Sequence, residues 1–131
     1  QRQMCIRDSD SSTFVAARNA QQYDFYLQGW NGDYNDPMTF FELWVTGNGY
    51  AKFMGGYSNP EYDAMIDAAK ATSDPAERMS YFHKAEDIII GQDWALGPIY
   101  FYTQKYMMAD GISGAFYTPL GYFIYGYCTK G

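Results

Sequence analysis

Two consecutive stretches constrain this chain more than anything else in it. They are 59–71 (NPEYDAMIDAAKA) and 74–90 (DPAERMSYFHKAEDIII), each opening on Asn or Asp followed by Pro. Asn and Asp side chains cap the free N–H groups at a helix start. Pro is tolerated in the first turn, where its missing N–H costs nothing. Behind the first cap, Tyr62, Met65, Ile66 and Ala69 recur at helical spacing; behind the second, Met79, Phe82, Ala85 and Ile89 do. Glu77 stands at the spacing of a capping box from Asp74, with Asp in place of Ser or Thr. Helices joined so closely are expected to fold back as an antiparallel hairpin.

The flanks read differently. SSTFVAAR (11–18) reads as a short helical piece opened by serine. YDFYLQGW (23–30) alternates, with Tyr23, Phe25 and Leu27 on one side and Asp24, Tyr26, Gln28 and Trp30 on the other. Period two predicts a strand with rings on both faces. NGDYNDP breaks it with turn chemistry. Asp36 is then the natural cap of a short helix in PMTFFELWV, with Pro37 in its first turn, ending by Gly47. TGNGYAKFMGGYSN (46–59) is a glycine-rich loop of a length that is usually functional or mobile. LGPIYFYTQKYMMA (96–109) reads as a strand, and the Gly- and Tyr-rich remainder as short strand-like pieces without helical period. Strands around a helical pair predict an α/β or α+β arrangement.

Several function classes fall away at this level. The formal net charge is −6, whereas nucleic-acid binding needs a basic footprint. No apolar run reaches the roughly 20 residues of a membrane helix. Gln1 to Ser9 (QRQMCIRDS) has neither period nor cap and is set aside as non-native sequence, which removes Cys5 and leaves Cys128. One cysteine and one histidine, His83, are too few for a structural zinc site. A calcium loop counted from Asp33 fails, because Pro37, Met38 and Trp44 fall where a ligand, a glycine and a glutamate belong. Asp33 and Asp36 could be paired glycosidase acids, but Asp36 is better explained as a cap. No nucleophile with its base is visible, so neither an enzyme nor a cofactor is expected.

What remains is the segment 23–37, YDFYLQGWNGDYNDP. It holds five aromatic rings and three aspartates, Asp24, Asp33 and Asp36, without a lysine, arginine or histidine. One explanation is that the cation arrives with a ligand. Rings beside acids would also suit a sugar-binding module, although a sugar site needs no unpaired carboxylate.

At GWNGDYNDP, GYSNPEYDAMIDAA, DPAERMSYFHKAEDII and GPIYFY the chain resembles a known family. It is similar to the C-terminal part of the extracytoplasmic solute-binding proteins of ABC importers, in the oligopeptide- and dipeptide-binding branch. The resemblance runs from about Ser11 to Thr129. It implies an α/β, periplasmic-binding-protein-like fold of two lobes that close on the ligand like a trap. It places residues 10–97 in the second lobe and 98–131 in a hinge crossing with return strands to the first lobe, most of which the chain would lack. It implies a peptide ligand, a membrane permease as partner, a monomeric full-length protein, and a place outside the cytoplasm, in the periplasm or lipid-anchored at the cell surface. Sugars or other small solutes are the alternative, since sister branches take them.

The resemblance also implies site residues. Asp33, last of the Gly29–Trp30–Asn31–Gly32–Asp33 motif, would pair with the peptide's α-amino group. A buried carboxylate needs such a partner. Trp30 would line the pocket, Asn31 would offer its backbone, and Gly32 would allow close approach. Tyr102 would face the ligand from the hinge strand, with Tyr100 on the same face. The family's basic contact just upstream is missing, with Leu27 in its place. Without its first lobe, the 131-residue chain alone is expected to be poorly stable and to bind no ligand tightly.

Overall fold

The computed structural model describes residues 9–51 and 53–131. Residues 1–8, with Cys5 and all but the last residue of the stretch set aside as non-native, lie outside the described residues, as does Lys52.

The predicted hairpin is the centre of the fold. Helix α3 (Pro60–Ala71) is capped by Asn59, whose side chain accepts from the N–H groups of Glu61 and Tyr62. Helix α4 (Pro75–Glu86) is capped by Asp74 onto Ala76 and Glu77. The capping box is only half made. The Glu77 carboxylate takes the Thr72 and Tyr81 hydroxyls, and the Asp74 N–H turns to Thr72 Oγ1 at 3.2 Å. Thr72 is the nearer acceptor, so Glu77 has no call to reach back.

Past Glu86 the helix continues as a π-helical turn, Asp87–Gln92. Its end is closed by the Ala95 N–H, which donates to the Ile89 carbonyl at 3.0 Å, with Trp94 in the left-handed region at φ 53°. The bond satisfies one of the carbonyls that a helix end leaves free.

The core is the seam of this hairpin with the elements before it. Tyr62, Ile66, Ala69, Phe82, Ala85, Ile88 and Ile89 are buried with Met38, and Phe41, Trp44, Tyr57 and Met65 pack on the outside. Met79 is the exception to the predicted stripe, at 41% exposed. Arg78 takes its place on the inner side, its guanidinium 4.9 Å from the centroid of the Phe82 ring. Tyr62 is buried because its hydroxyl is satisfied by the Phe41 carbonyl at 2.7 Å; burial raises its phenol well above its ordinary pKa.

Before the hairpin lie α1 (Ser11–Asn19) and α2 (Met38–Phe41), the latter continued by a 3₁₀ turn, Glu42–Trp44. The cap of α1 is Asp10, not a serine: its carboxylate accepts from the Ser12 and Thr13 N–H groups, each at 3.0 Å. These bonds, led by that from the Ser12 hydroxyl, hold its pKa far below the usual range. Asp36 opens α2 as predicted, accepting from the Met38 N–H at 2.8 Å, with Pro37 already helical.

The two predicted strands are not strands. Residues 23–30 and 96–109 run without a ladder. Nor does period two hold in the first: Tyr23 and Tyr26, three apart, both donate to the Phe53 carbonyl, at 3.1 and 2.8 Å. An extended segment becomes a strand only against a neighbour that takes its N–H and C=O groups. Among the described residues neither segment has one. The tail does pair, as two short antiparallel ladders. Strand β1 (Ile112–Ser113) runs beside β4 (Thr129–Lys130), and β2 (Phe116–Tyr117) beside β3 (Phe123–Ile124). Gly114 is required where they meet, since a Cβ there would lie 2.0 Å from the Tyr127 carbonyl oxygen, at φ +86°.

Candidate functional site

The turn after residue 30 is built by α2. Thr39, 1% exposed, sits in the first turn of α2. Its hydroxyl accepts the Asp33 N–H at 2.9 Å, and its own N–H donates to the Asp36 carbonyl at 3.2 Å. Its methyl would touch a Cβ on Gly32 at 3.3 Å, with the Tyr34 carbonyl oxygen at 3.5 Å. Gly32 is thus a packing glycine as it stands, whatever approaches from outside.

In this chain Asp33 itself is exposed and not buried. No ion pair holds it among the described residues, where the pair recorded is Arg78 with Asp36. Asn31 is likewise exposed.

Trp30 is half-buried, edge-on to Tyr50 with centroids 5.0 Å apart. Its Nε1 is buried and, among the described residues, has no hydrogen-bond partner.

Tyr102 comes to this turn from a distant part of the chain. A Cβ on Gly29 would lie 2.8 Å from Tyr102 Cε2 and 3.3 Å from its hydroxyl, so the ring lies on the backbone immediately before Trp30. It remains 63% exposed. Tyr100 stands edge-on to it at 5.0 Å, on the same side as period two requires. The fold thus brings Tyr102 against the Gly29–Asp33 segment. Two shallow hollows, one between Ala68 and Tyr81, the other in the glycine-rich loop around Tyr57, are lined by none of these residues.

The cation that the segment lacks arrives, for one of its acids, from α4. Arg78 grips Asp36 with both arms, Nη1 to Oδ2 at 2.7 Å and Nη2 to Oδ1 at 2.8 Å. Its Nε donates to the Ala69 carbonyl at 3.3 Å. The guanidinium, aided by the Met38 N–H, holds the Asp36 carboxyl below its ordinary range. The same bond raises Arg78. No motif announced Arg78 or Thr39. Only the cap spacing hinted that Asp36 was already engaged.

A pH dependence follows. Folding lowers the Asp36 pKa, so the pair's stabilisation is complete above the ordinary value of 3.8 and is lost as pH falls through the lower folded value. At about a third exposure for each side chain, the pair is worth about 1 kcal/mol after solvent screening. Asp36→Asn should therefore lower the denaturation midpoint at neutral pH, and the deficit should shrink below about pH 4. A deficit of constant size across that range would mean that the ion pair is not its cause.

Among the described residues no three His, Cys, Asp or Glu gather as a metal site, and no helix is long and apolar enough to cross a membrane. Cys128 is exposed, and His83 lies on the surface of α4.

No protein-family model matches the chain. Individual proteins do. The dipeptide-binding protein DppE of Bacillus subtilis is 32% identical over 117 residues, 89% of this chain and 21% of that protein. The oligopeptide-binding protein OppA of the same organism is 30% identical over 109 residues, 83% and 20% respectively. The chain thus spans about a fifth of the length of these relatives. Among solved structures, Haemophilus influenzae OppA in complex with RPPGFSPFR superposes with a TM-score of 0.62 at 30% identity, over 68% of this chain and 17% of that one. The substrate-binding domain of a Bacillus anthracis oligopeptide ABC transporter superposes over 95% of this chain and 24% of its own, with a TM-score of 0.77 at 24% identity. That last match speaks for the fold alone: mixed helix and sheet, one region of a periplasmic-binding-protein-like architecture.

Proposed function

Over most of its length this chain is homologous to the peptide-binding proteins of ABC importers, and on that premise we propose that it is part of a substrate-binding component that captures peptides outside the membrane and hands them to a permease. The observation that carries this reading is identity to two peptide-binding relatives across more than four-fifths of the chain. Residues 10–97 form part of the second lobe, and 98–131 the hinge crossing and return strands of a protein that is monomeric when whole. Capture is binding and lobe closure, without chemistry on the ligand.

Asp33 reads the peptide's ammonium group. Asp33 is exposed and, among the described residues, has no ion-pair partner, while its N–H is anchored on Thr39, so a ligand cation can reach it without breaking an ion pair among them. Closure over the ligand would dry the contact, and a charge-assisted bond gains strength in a drier site. Trp30, half-buried and edge-on to Tyr50, walls the segment beside it. Tyr102 closes the other side of the segment from above Gly29. Asn31 contributes backbone, the part of a binding strand that is indifferent to ligand side chains. A sugar or other small solute, weighed from the rings alone, is not favoured, because the relatives named above bind peptides by name.

The test is calorimetric titration of the intact protein with one mixed peptide, free or acetylated at its N-terminus. Binding that acetylation weakens at least about tenfold is expected, the loss of one charge-assisted contact. Equal binding of both forms would remove the ammonium role from Asp33. Failure of a folded protein to bind either would remove peptides.

A further inference from the structure

Within the Asp33 turn the Asp36 N–H donates to the Tyr34 carbonyl at 2.9 Å, and Asp33 itself is tied in from α2. Its N–H rests on Thr39, Thr39 rests on the Asp36 carbonyl, and the Asp36 carboxylate is fixed at once by the Met38 N–H and by both arms of Arg78. Arg78 is itself held at three points: the Asp36 carboxylate, the Ala69 carbonyl and the face of Phe82. It stands 42 residues beyond Asp36, on the helix that carries the buried core. A planar fork held this way transmits position, whereas a lysine ammonium would fix only a point.

We infer that Arg78 is a positioning residue for the ligand site, locking the turn that presents Asp33 to the rigid helical hairpin. It does not touch the ligand. It acts through Asp36 and Thr39, so its loss frees the Asp33 N–H and lets the carboxylate swing. This rests on the reading of Asp33 as the ammonium contact.

The experiment compares the intact wild-type protein with Arg78→Gln and Arg78→Lys, each shown folded by near-UV circular dichroism. Two quantities are read: the affinity ratio for one peptide with a free or an acetylated N-terminus, and the hydrogen-exchange protection of the Asp33 amide without ligand. Arg78→Gln is expected to reduce the ratio about tenfold, since an ammonium contact that has lost its alignment is worth about one hydrogen bond less. It should speed exchange at the Asp33 amide while leaving amides within α3 unchanged. Arg78→Lys should restore part of both. A general loss of stability would instead weaken both peptides alike and speed exchange across the hairpin, which overturns the inference. So does unchanged protection of the Asp33 amide in Arg78→Gln. Should wild type itself bind both peptides equally, the ammonium reading fails, and the amide result still decides whether Arg78 holds the turn.

Discussion

Asp33→Asn in the intact protein is expected to weaken binding of a peptide with a free amino terminus by about 2–4 kcal/mol, roughly 30- to 700-fold. Asparagine keeps the size and an acceptor oxygen but removes the charge that the ammonium seeks. The magnitude depends on closure: Asp33 is exposed in this chain, where a lone ion pair is worth little, so the ligand and the closing protein must supply the dry surroundings. The acetylated peptide, which brings no ammonium, should bind variant and wild type alike. An undiminished affinity for the free peptide would move the site elsewhere. The Asp33 N–H bond to Thr39 involves backbone and survives the substitution, so the loss reports the charge rather than a collapsed turn.

Phe82→Ala is expected to destabilise the fold of this chain by about 3–5 kcal/mol. The ring is 1% exposed, stacks on Phe41 with centroids 4.8 Å apart and lies under the Arg78 guanidinium. Alanine would leave a cavity at the point where α2, α3 and α4 meet. An ordinary domain is stable by about 5–15 kcal/mol, so this one substitution removes a large fraction. Phe101→Ala provides the contrast. That ring is 96% exposed, and its loss should change stability by less than about 0.5 kcal/mol. Denaturant unfolding followed by far-UV circular dichroism measures both. Equal effects would mean that the core is not where the structure puts it.

The same contrast bears on the chain as a whole. Residues 91–110 are exposed throughout, with Ile99, Phe101 and Met107 among the most exposed. Apolar side chains in that number do not stay wet in a protein at rest. Contiguous exposed apolar surface of this kind marks an interaction face.

Legibility followed the range of the forces. The helices α3 and α4 could be read because their determinants are local. Asn59 and Asp74 cap groups two and three residues away, and the buried stripe repeats within each helix. The misreadings were local rules overruled from nearby. Glu77 bonded to Thr72 rather than reaching back, Arg78 displaced Met79 from the inner face, and Asp10 capped α1 ahead of the serines. The composition of 23–30 and 96–109 is right for strands, yet a strand is a property of two segments, and the second is not among the described residues.

The site divided in the same way. Its proposed members Trp30, Asn31, Gly32, Asp33 and Tyr102 come from the family resemblance. Their arrangement does not. Nothing in the sequence near Gly29 states that Tyr102 will lie on it, and nothing near Asp36 states that its cation is Arg78. What the sequence determined by itself is where helices start, which faces they bury, and which acids stand without a neighbouring cation. What the tertiary structure decided is which acid gains a cation among the described residues. Helix α4 packs over α2 through Phe82, that packing delivers a bidentate guanidinium to Asp36 and none to Asp33, and a pairing between residues so far apart in the chain is set only when the core has closed.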